Sequence, residues 1–211
     1  MSLNICLKIN QDVLRSCTDK PVAGIEQRLI LINKDDLPFE NIERNNLLPN
    51  SLIDNITLKA GTRGYLVEGI KQIIQFTNSG IVEESSENGS THSITGIRVF
   101  DPSEKIREEI NKFLLGNEVY VVVERKWKGE NNEHAFLFFG LFHRLQMTEM
   151  TEDSSQGTIV FSLSTTAGMK EPFVPHVLRI TDYQTTLGAF NNKFENEDGG
   201  IFDETFDETF E

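Results

Sequence analysis

The chain has 211 residues, enough to bury roughly 70% of its unfolded surface in one domain without a disulfide or metal staple. Lysine and arginine total 20 against 33 acidic residues, a formal charge of −13, which argues against a basic, phosphate-gripping surface as its main business. No apolar run reaches the ~18 residues that span a bilayer, and Met1 to Asn10 lacks a signal-peptide plan, so the expectation is a soluble protein made where it starts.

Leu3, Ile5, Leu7 and Ile9 alternate with Asn4, Cys6, Lys8 and Asn10, a period of two that predicts a strand with one wet face. Leu29 to Ile32 and Ile53 to Leu58 read as further strands, the first stopped by Asn33-Lys34-Asp35-Asp36 and the second by the turn residues Ala60 to Gly64. Tyr65 to Phe76 also fits a helical stripe through Leu66, Ile70, Ile73 and Ile74. A strand is favoured, because Gly64 and Gly69 penalise a helix and β-branched residues dominate. Asn78 to His92, rich in serine and acids, reads as a long loop that returns into a strand over Ser93 to Phe100, making a hairpin with an oversized tip.

One helix is signalled between Asp101 and Gly116, with Asp101 as cap, Pro102 in the first turn and Ile106, Ile110, Phe113 and Leu114 on one face. Val119 to Val123 and Phe136 to Leu145 are apolar at successive positions, so both faces of each strand require a cover. Lys128 to Asn132 joins them, and Gly140 marks a bulge or close backbone approach. Thr158 to Ser164 should bury Ile159, Phe161 and Leu163 and turn Thr158, Ser162 and Ser164 outward. Pro172 and Pro175 flank Phe173 in a stretch expected to form an arm. Eight short strands, one helix and polar loops predict a mainly β protein: an antiparallel β-sandwich or barrel with one flanking α-helix and extended arms.

From Glu195 to Glu211 there are eight acidic residues and no basic one, so this segment carries −8 of the −13. It follows a Gly199-Gly200 hinge and repeats Phe-Asp-Glu-Thr, placing Phe202, Phe206 and Phe210 four residues apart. Two readings stand: a solvated acidic tail, or a docking peptide whose phenylalanines anchor on a partner while the acids meet a basic rim.

Signals for chemistry are sparse. No nucleotide loop, dinucleotide fingerprint, zinc-protease motif or nucleophile elbow occurs. His92, His134, His143 and His176 lie singly, and Cys6 and Cys17 form neither a disulfide framework nor a zinc pattern; a reducing compartment follows. Asp35-Asp36 and Glu83-Glu84 read as solvated charge, and Gly61-Thr62-Arg63-Gly64 as a turn, since it lacks the lysine and following helix of a phosphate cradle. The expectation is no enzyme, no catalytic residue, no cofactor and no metal. Arg125, Lys126, Trp127 and Lys128 form a basic and aromatic cluster suited to a neighbouring subunit or an acidic arm.

The order of elements resembles the tail-tube and tail-ring proteins of bacteriophages. Cys17 to Leu37 is similar to the opening of structural proteins of crAss-like and related phages of Bacteroides. Phe139-Gly140-Leu141, Gly157 to Ser164 and Glu171-Pro172-Phe173-Val174-Pro175 are similar to their closing hairpin. The likeness spans about Arg15 to Pro175; the acidic repeat lies outside it. The resemblance implies a virion protein, made in the host cytoplasm and placed in the tail or neck, whose subunits form a six- or twelve-fold homo-oligomeric ring. Such a ring would contact other tail, neck or portal proteins and let DNA pass through without specific binding. Residues 1–180 would form the ring domain with its N-terminal arm, and 181–211 the C-terminal extension. Trp127, Phe173, Phe202, Phe206 and Phe210 are the expected partner-binding side chains. The alternative is a ligand- or partner-binding β-sandwich that uses the acidic tail as its docking peptide.

Overall fold

A computed structural model describes residues 24–44, 51–69, 74–81, 88–100, 103–153 and 157–196. The expected strand at Leu3 to Ile9, both cysteines, the Asp101-Pro102 cap, Glu83-Glu84 and Phe202, Phe206 and Phe210 lie outside these residues.

The elements in chain order are β1 (Ile25–Asn33), β2 (Ile42–Glu43), β3 (Leu52–Ile53), β4 (Asn55–Ile56), β5 (Tyr65–Glu68), β6 (Gln75–Ile81), β7 (Gly89–Val99), α1 (Glu104–Leu114), β8 (Val119–Arg125), β9 (Phe136–Phe139), β10 (Leu145–Asp153), β11 (Thr158–Thr165), β12 (His176–Leu178) and α2 (Tyr183–Asn191). The protein is mainly β. Ten strands share one hydrogen-bonded sheet that does not close, and β2 and β4 form a separate pair. Every pairing is antiparallel except β12 on β3.

A single register pair, Leu145 opposite Val119, joins β10 to β8, and there the sheet divides into two layers. One layer runs β5-β1-β8-β9-β12-β3, the other β10-β11-β7-β6. Leu29, Leu31, Val121, Val123 and Phe139 point into the space between the layers, where they meet Ile94, Ile97, Phe161 and Leu163. The alternate residues Ile30, Ile32, Tyr120, Val122, Phe136 and Phe138 face the other way, onto Leu37, Ile53, Leu58, Phe190 and Phe194. The double cover demanded by the apolar run at Val119 to Val123 therefore comes from the second layer on one side, and from the chain around residues 37–58 and α2 on the other.

Several expectations are corrected. Tyr65 to Phe76 is not one strand: β5 stops at Glu68, and Gly69 lies where any side chain would strike Ile74, with a Cβ only 2.7 Å from its Cδ1. Asn78 to His92 is not all loop, since Asn78 pairs with His92 and Ile81 with Gly89. β6 lies at the sheet edge with Thr77 to Gly80 exposed, so it needs no apolar alternation. Phe136 to Leu145 breaks at Gly140, whose φ of +85° and lack of a Cβ permit a sharp turn against Leu145 and Arg144. Thr158 is buried rather than outward. The Pro172 to Pro175 stretch does not project: Glu171 bridges to Ser90, and Phe173 stacks near Phe142 and His176. Two helices are present among the described residues instead of one. The segment after residue 180 enters as α2, capped by the Asp182 side chain, which accepts the Thr185 N–H at 2.8 Å.

α1 ends at Gly116, φ +93°, as its sequence predicts, but starts behind Ser103 and packs incompletely. Ile110 is buried and Phe113 stacks on Phe161 at 5.8 Å, whereas Ile106 and Leu114 remain 36% and 53% exposed.

Phe138, fully buried against Tyr120 at 5.3 Å between ring centroids, is a test of the two-sided core. Phe138→Ala should cost about 3–5 kcal/mol in chemical denaturation. Leu115→Ala, at a side chain 89% exposed, should change stability by less than ~0.5 kcal/mol.

Candidate interaction surface

The space between the layers is not sealed along its α1 side. A cleft of about 320 Å³ opens between α1 and β5, lined by Leu31, Tyr65, Leu66, Val67, Val99, Ile106, Ile110, Phe113 and Phe161. Its walls are a consequence of the register. Tyr65 and Val67 stand opposite Leu31 and Leu29, on the face that looks into the inter-layer core, but β5 has no neighbour beyond it among the described residues. Tyr65, Leu66, Ile106 and Leu114 are 49%, 40%, 36% and 53% exposed, with Leu115 and Phe100 close by in sequence and also exposed. These clustered large apolar side chains, beside a strand edge that no described residue pairs, form the candidate interaction surface.

Two charge clusters sit at the margins of the fold. Glu124 on β8 is almost fully buried. Its Oε2 accepts from Arg28 Nε at 3.0 Å and Nη2 at 2.5 Å, and its Oε1 from Lys128 Nζ at 2.6 Å and Tyr183 Oη at 3.1 Å. Burial pushes this carboxyl up, but the hydrogen bonds from Lys128 and Arg28 outweigh it and hold it below the usual carboxylate range. The cluster therefore ties α2 to β1 and β8. Arg28 also donates to Asn191 Oδ1 at 2.9 Å, and the cluster forms one wall of an open pocket of about 590 Å³ that Glu26, Gln27 and Glu68 complete.

The second cluster gathers Glu171, His92, His176 and Ser90, residues remote in sequence. Glu171 is inaccessible to solvent; its Oε1 accepts the backbone N–H of Phe142 at 3.0 Å and of His143 at 2.8 Å. Its own backbone exchanges hydrogen bonds with Ser90, and Ser90 Oγ donates to the Phe173 carbonyl at 2.7 Å. His92 Nε2 lies 3.0 Å from that same carbonyl. Burial raises the Glu171 carboxyl from 4.5 to about 7, opposed by the two N–H donors and by Arg144. Burial also lowers His92 to about 4, opposed by the Phe173 carbonyl and assisted by His176. The expectation of isolated histidines thus holds along the sequence but not in space. With His92 and Glu171 wholly shielded, the cluster pins the residue 171–176 segment to β7 and to the turn after β9, and meets no solute.

The expected partner-binding residues divide accordingly. Trp127 is half-buried, with the Arg125 guanidinium 5.2 Å above its ring. Phe173 is half-buried between Phe142 and His176. Phe202, Phe206 and Phe210 lie outside the described residues. The Gly61 to Gly64 turn binds backbone and not phosphate: the Gly61 N–H donates to the Asn196 carbonyl at 3.0 Å and the Gly64 N–H to the Lys193 carbonyl at 2.7 Å. Among the described residues no group of three His, Cys, Asp or Glu is arranged to hold a metal. Sequence reasoning missed the cleft, although the signal was present in the apolar residues on both flanks of α1 and in the double-apolar start of β5. No protein-family model, curated protein or solved structure matches the chain.

Glu171 and His92 give opposite pH dependences. Glu171, raised in the fold, contributes stability that is complete below ~4.5 and is lost as pH rises through about 7; His92, lowered, contributes stability present above ~6.5 and lost as pH falls through about 4. The Glu171→Gln variant keeps only the second effect. Its stability relative to wild type should rise by on the order of 3 kcal/mol between pH 4.5 and 7, measured by denaturant titration at a series of pH values. Parallel curves would show that Glu171 does not titrate in this range.

Proposed function

We propose that this protein is a structural subunit of a bacteriophage virion, a member of an oligomeric tail or neck ring or tube through which DNA passes. The observation that carries the reading is the open side of the sandwich among the described residues, where the apolar interior reaches solvent between β5 and α1 next to a strand edge that no described residue pairs. Apolar surface and free backbone groups of this kind are covered when another chain packs on them, and cyclic closure covers the same surface in every copy. The exposed edge at β6 offers a second contact on the other layer. The resemblance of Cys17 to Leu37 and of the Phe139 to Pro175 region to phage tail components supports the same assignment. An acidic chain suits a conduit, because its field repels phosphates and lets DNA slide without gripping it.

In this reading the protein performs no chemistry and holds no cofactor. Its location is the virion, reached after synthesis in the host cytoplasm. Among the described residues no helix is long and apolar enough to cross a membrane. Its contacts are with copies of itself and with neighbouring tail, neck or portal proteins.

Light scattering on the purified protein tests this directly. Wild type should show a mass six or twelve times that of one chain, and Ile106→Glu, which puts a charge into the cleft, should weaken association about tenfold or more. A wild type that stays monomeric at high concentration contradicts the proposal.

A further inference from the structure

We propose that the cleft between α1 and β5 is the docking site of the protein's own C-terminal Phe-Asp-Glu-Thr segment, which covers it in the free subunit and yields it on assembly. The second half of this statement rests on the cleft being the subunit interface; the first half does not.

Three observations lead to the occupant. The first is where the described chain ends. Asn196 donates its N–H to the Thr62 carbonyl at 3.2 Å, accepts from Gly61, and sends its side-chain amide to the Leu58 carbonyl at 2.6 Å. It is therefore fastened to the turn that leads straight into β5, and Tyr65, at the mouth of the cleft, lies three residues beyond Thr62, no more than ~11 Å along the chain. Five residues separate Asn196 from Phe202, enough to span up to ~20 Å from Asn196 itself. So short a tether holds the segment at an effective concentration of order millimolar beside the cleft, which a separate molecule must exceed.

The second observation is chemical match. The cleft offers aromatic and aliphatic walls in Tyr65, Val67, Ile106 and Phe113, and the segment offers phenylalanines at four-residue spacing, the periodicity of anchors that enter an apolar groove. The third is charge. Residues 197–211 carry seven acidic side chains and no basic one. The route from Asn196 to the cleft passes Lys59 and Arg63, both exposed, and Lys193, while on the α1 wall Lys112 and Glu109 neutralise each other in an ion pair of 2.6 Å. Cations along the path and an apolar floor at its end fit a chain that alternates acids with phenylalanine.

The arrangement also assigns a task to the Gly61 to Gly64 turn. By holding the Lys193 and Asn196 carbonyls it aims the C-terminal segment at β5 instead of letting it leave in an arbitrary direction. A subunit whose sticky side is covered by its own tail stays apart during synthesis, and a neighbour that binds the cleft more strongly displaces the tail.

Hydrogen exchange by mass spectrometry on the full chain tests this, comparing wild type with Phe202→Ala/Phe206→Ala/Phe210→Ala, changes that leave the described core untouched. In samples diluted until scattering shows single subunits, β5 and α1 should exchange at least about fivefold faster in the triple variant while β8 and β9 are unaltered, and the difference should not vary with concentration among those samples. Equal rates in β5 and α1 for the two proteins overturn the proposal. Protection that appears only at high concentration also overturns it, by assigning the cleft to a second copy. Scattering on the same samples separates this inference from the ring reading. A persistent monomer with tail-dependent protection removes the ring and leaves the docking site. An assembling protein whose β5 and α1 ignore the tail even at the dilution where it is a single subunit removes the docking site and leaves the ring.

Discussion

Burial of β1, β8 and β9 on both faces is the constraint from which the rest of the structure follows. Val119, Val121 and Val123 face one layer of apolar side chains, and Tyr120 and Val122 face another, all with essentially no exposure. A strand of this kind has no solvent side, so the chain must supply two covers. It does so with unequal completeness. On the face toward α2, Leu37, Ile53, Leu58, Phe190 and Phe194 close the core. On the face toward the second layer, β11 and β7 cover most of the surface, but the strip beside β5 is left to a helix that buries one residue well, Ile110, and leaves its neighbours wet.

Charged groups hold the covers where apolar contact alone is thin. Glu124 fixes α2 by binding Arg28, Lys128 and Tyr183 at once. Glu171 fixes the chain entering β12 by accepting two backbone N–H groups from the turn after β9. Glu124 is a buried carboxylate paired with two cations, the condition under which such a group orders a fold, whereas burial raises Glu171 to about 7, so that its neutral form is the one the fold favours. Glu171 is inaccessible to solvent, whereas Glu124 lines an open pocket with Arg28, Lys128 and Tyr183.

How much of this could be read from the residues depended on whether a side chain's neighbours are local. The strands of the centre were legible because Val119 to Val123, Phe136 to Phe139 and Ile159 to Leu163 carry their burial in their own spelling, and the need for two covers followed at once. β6 was not legible: Gln-Phe-Thr-Asn-Ser-Gly-Ile belongs to an edge strand, whose backbone pairs with β7 while most of its side chains stay in water, so polarity imitated a loop. α2 escaped because nine residues containing two threonines and Gly188 have little helical preference; it is held by the Asp182 cap and by Phe190 in the core. The meeting of Glu171 with Ser90, of His92 with the Phe173 carbonyl, and of Gly61 with Asn196 depends on partners far away in the chain, which no local pattern encodes. The apolar stripe of α1 was read as a packing face and not as part of a site, and its partial exposure was not foreseen, because an amphipathic stripe says which face turns inward and not whether that face is filled.

Electron microscopy of the purified protein is the most direct examination of the central claim, that the β5 and α1 side of the sandwich is where one copy meets another. The account predicts closed rings in which each subunit contact contains Tyr65, Leu66 and Ile106 from one partner. Dispersed single subunits, or rings whose contacts lie elsewhere and leave that cleft open to solvent, would contradict it.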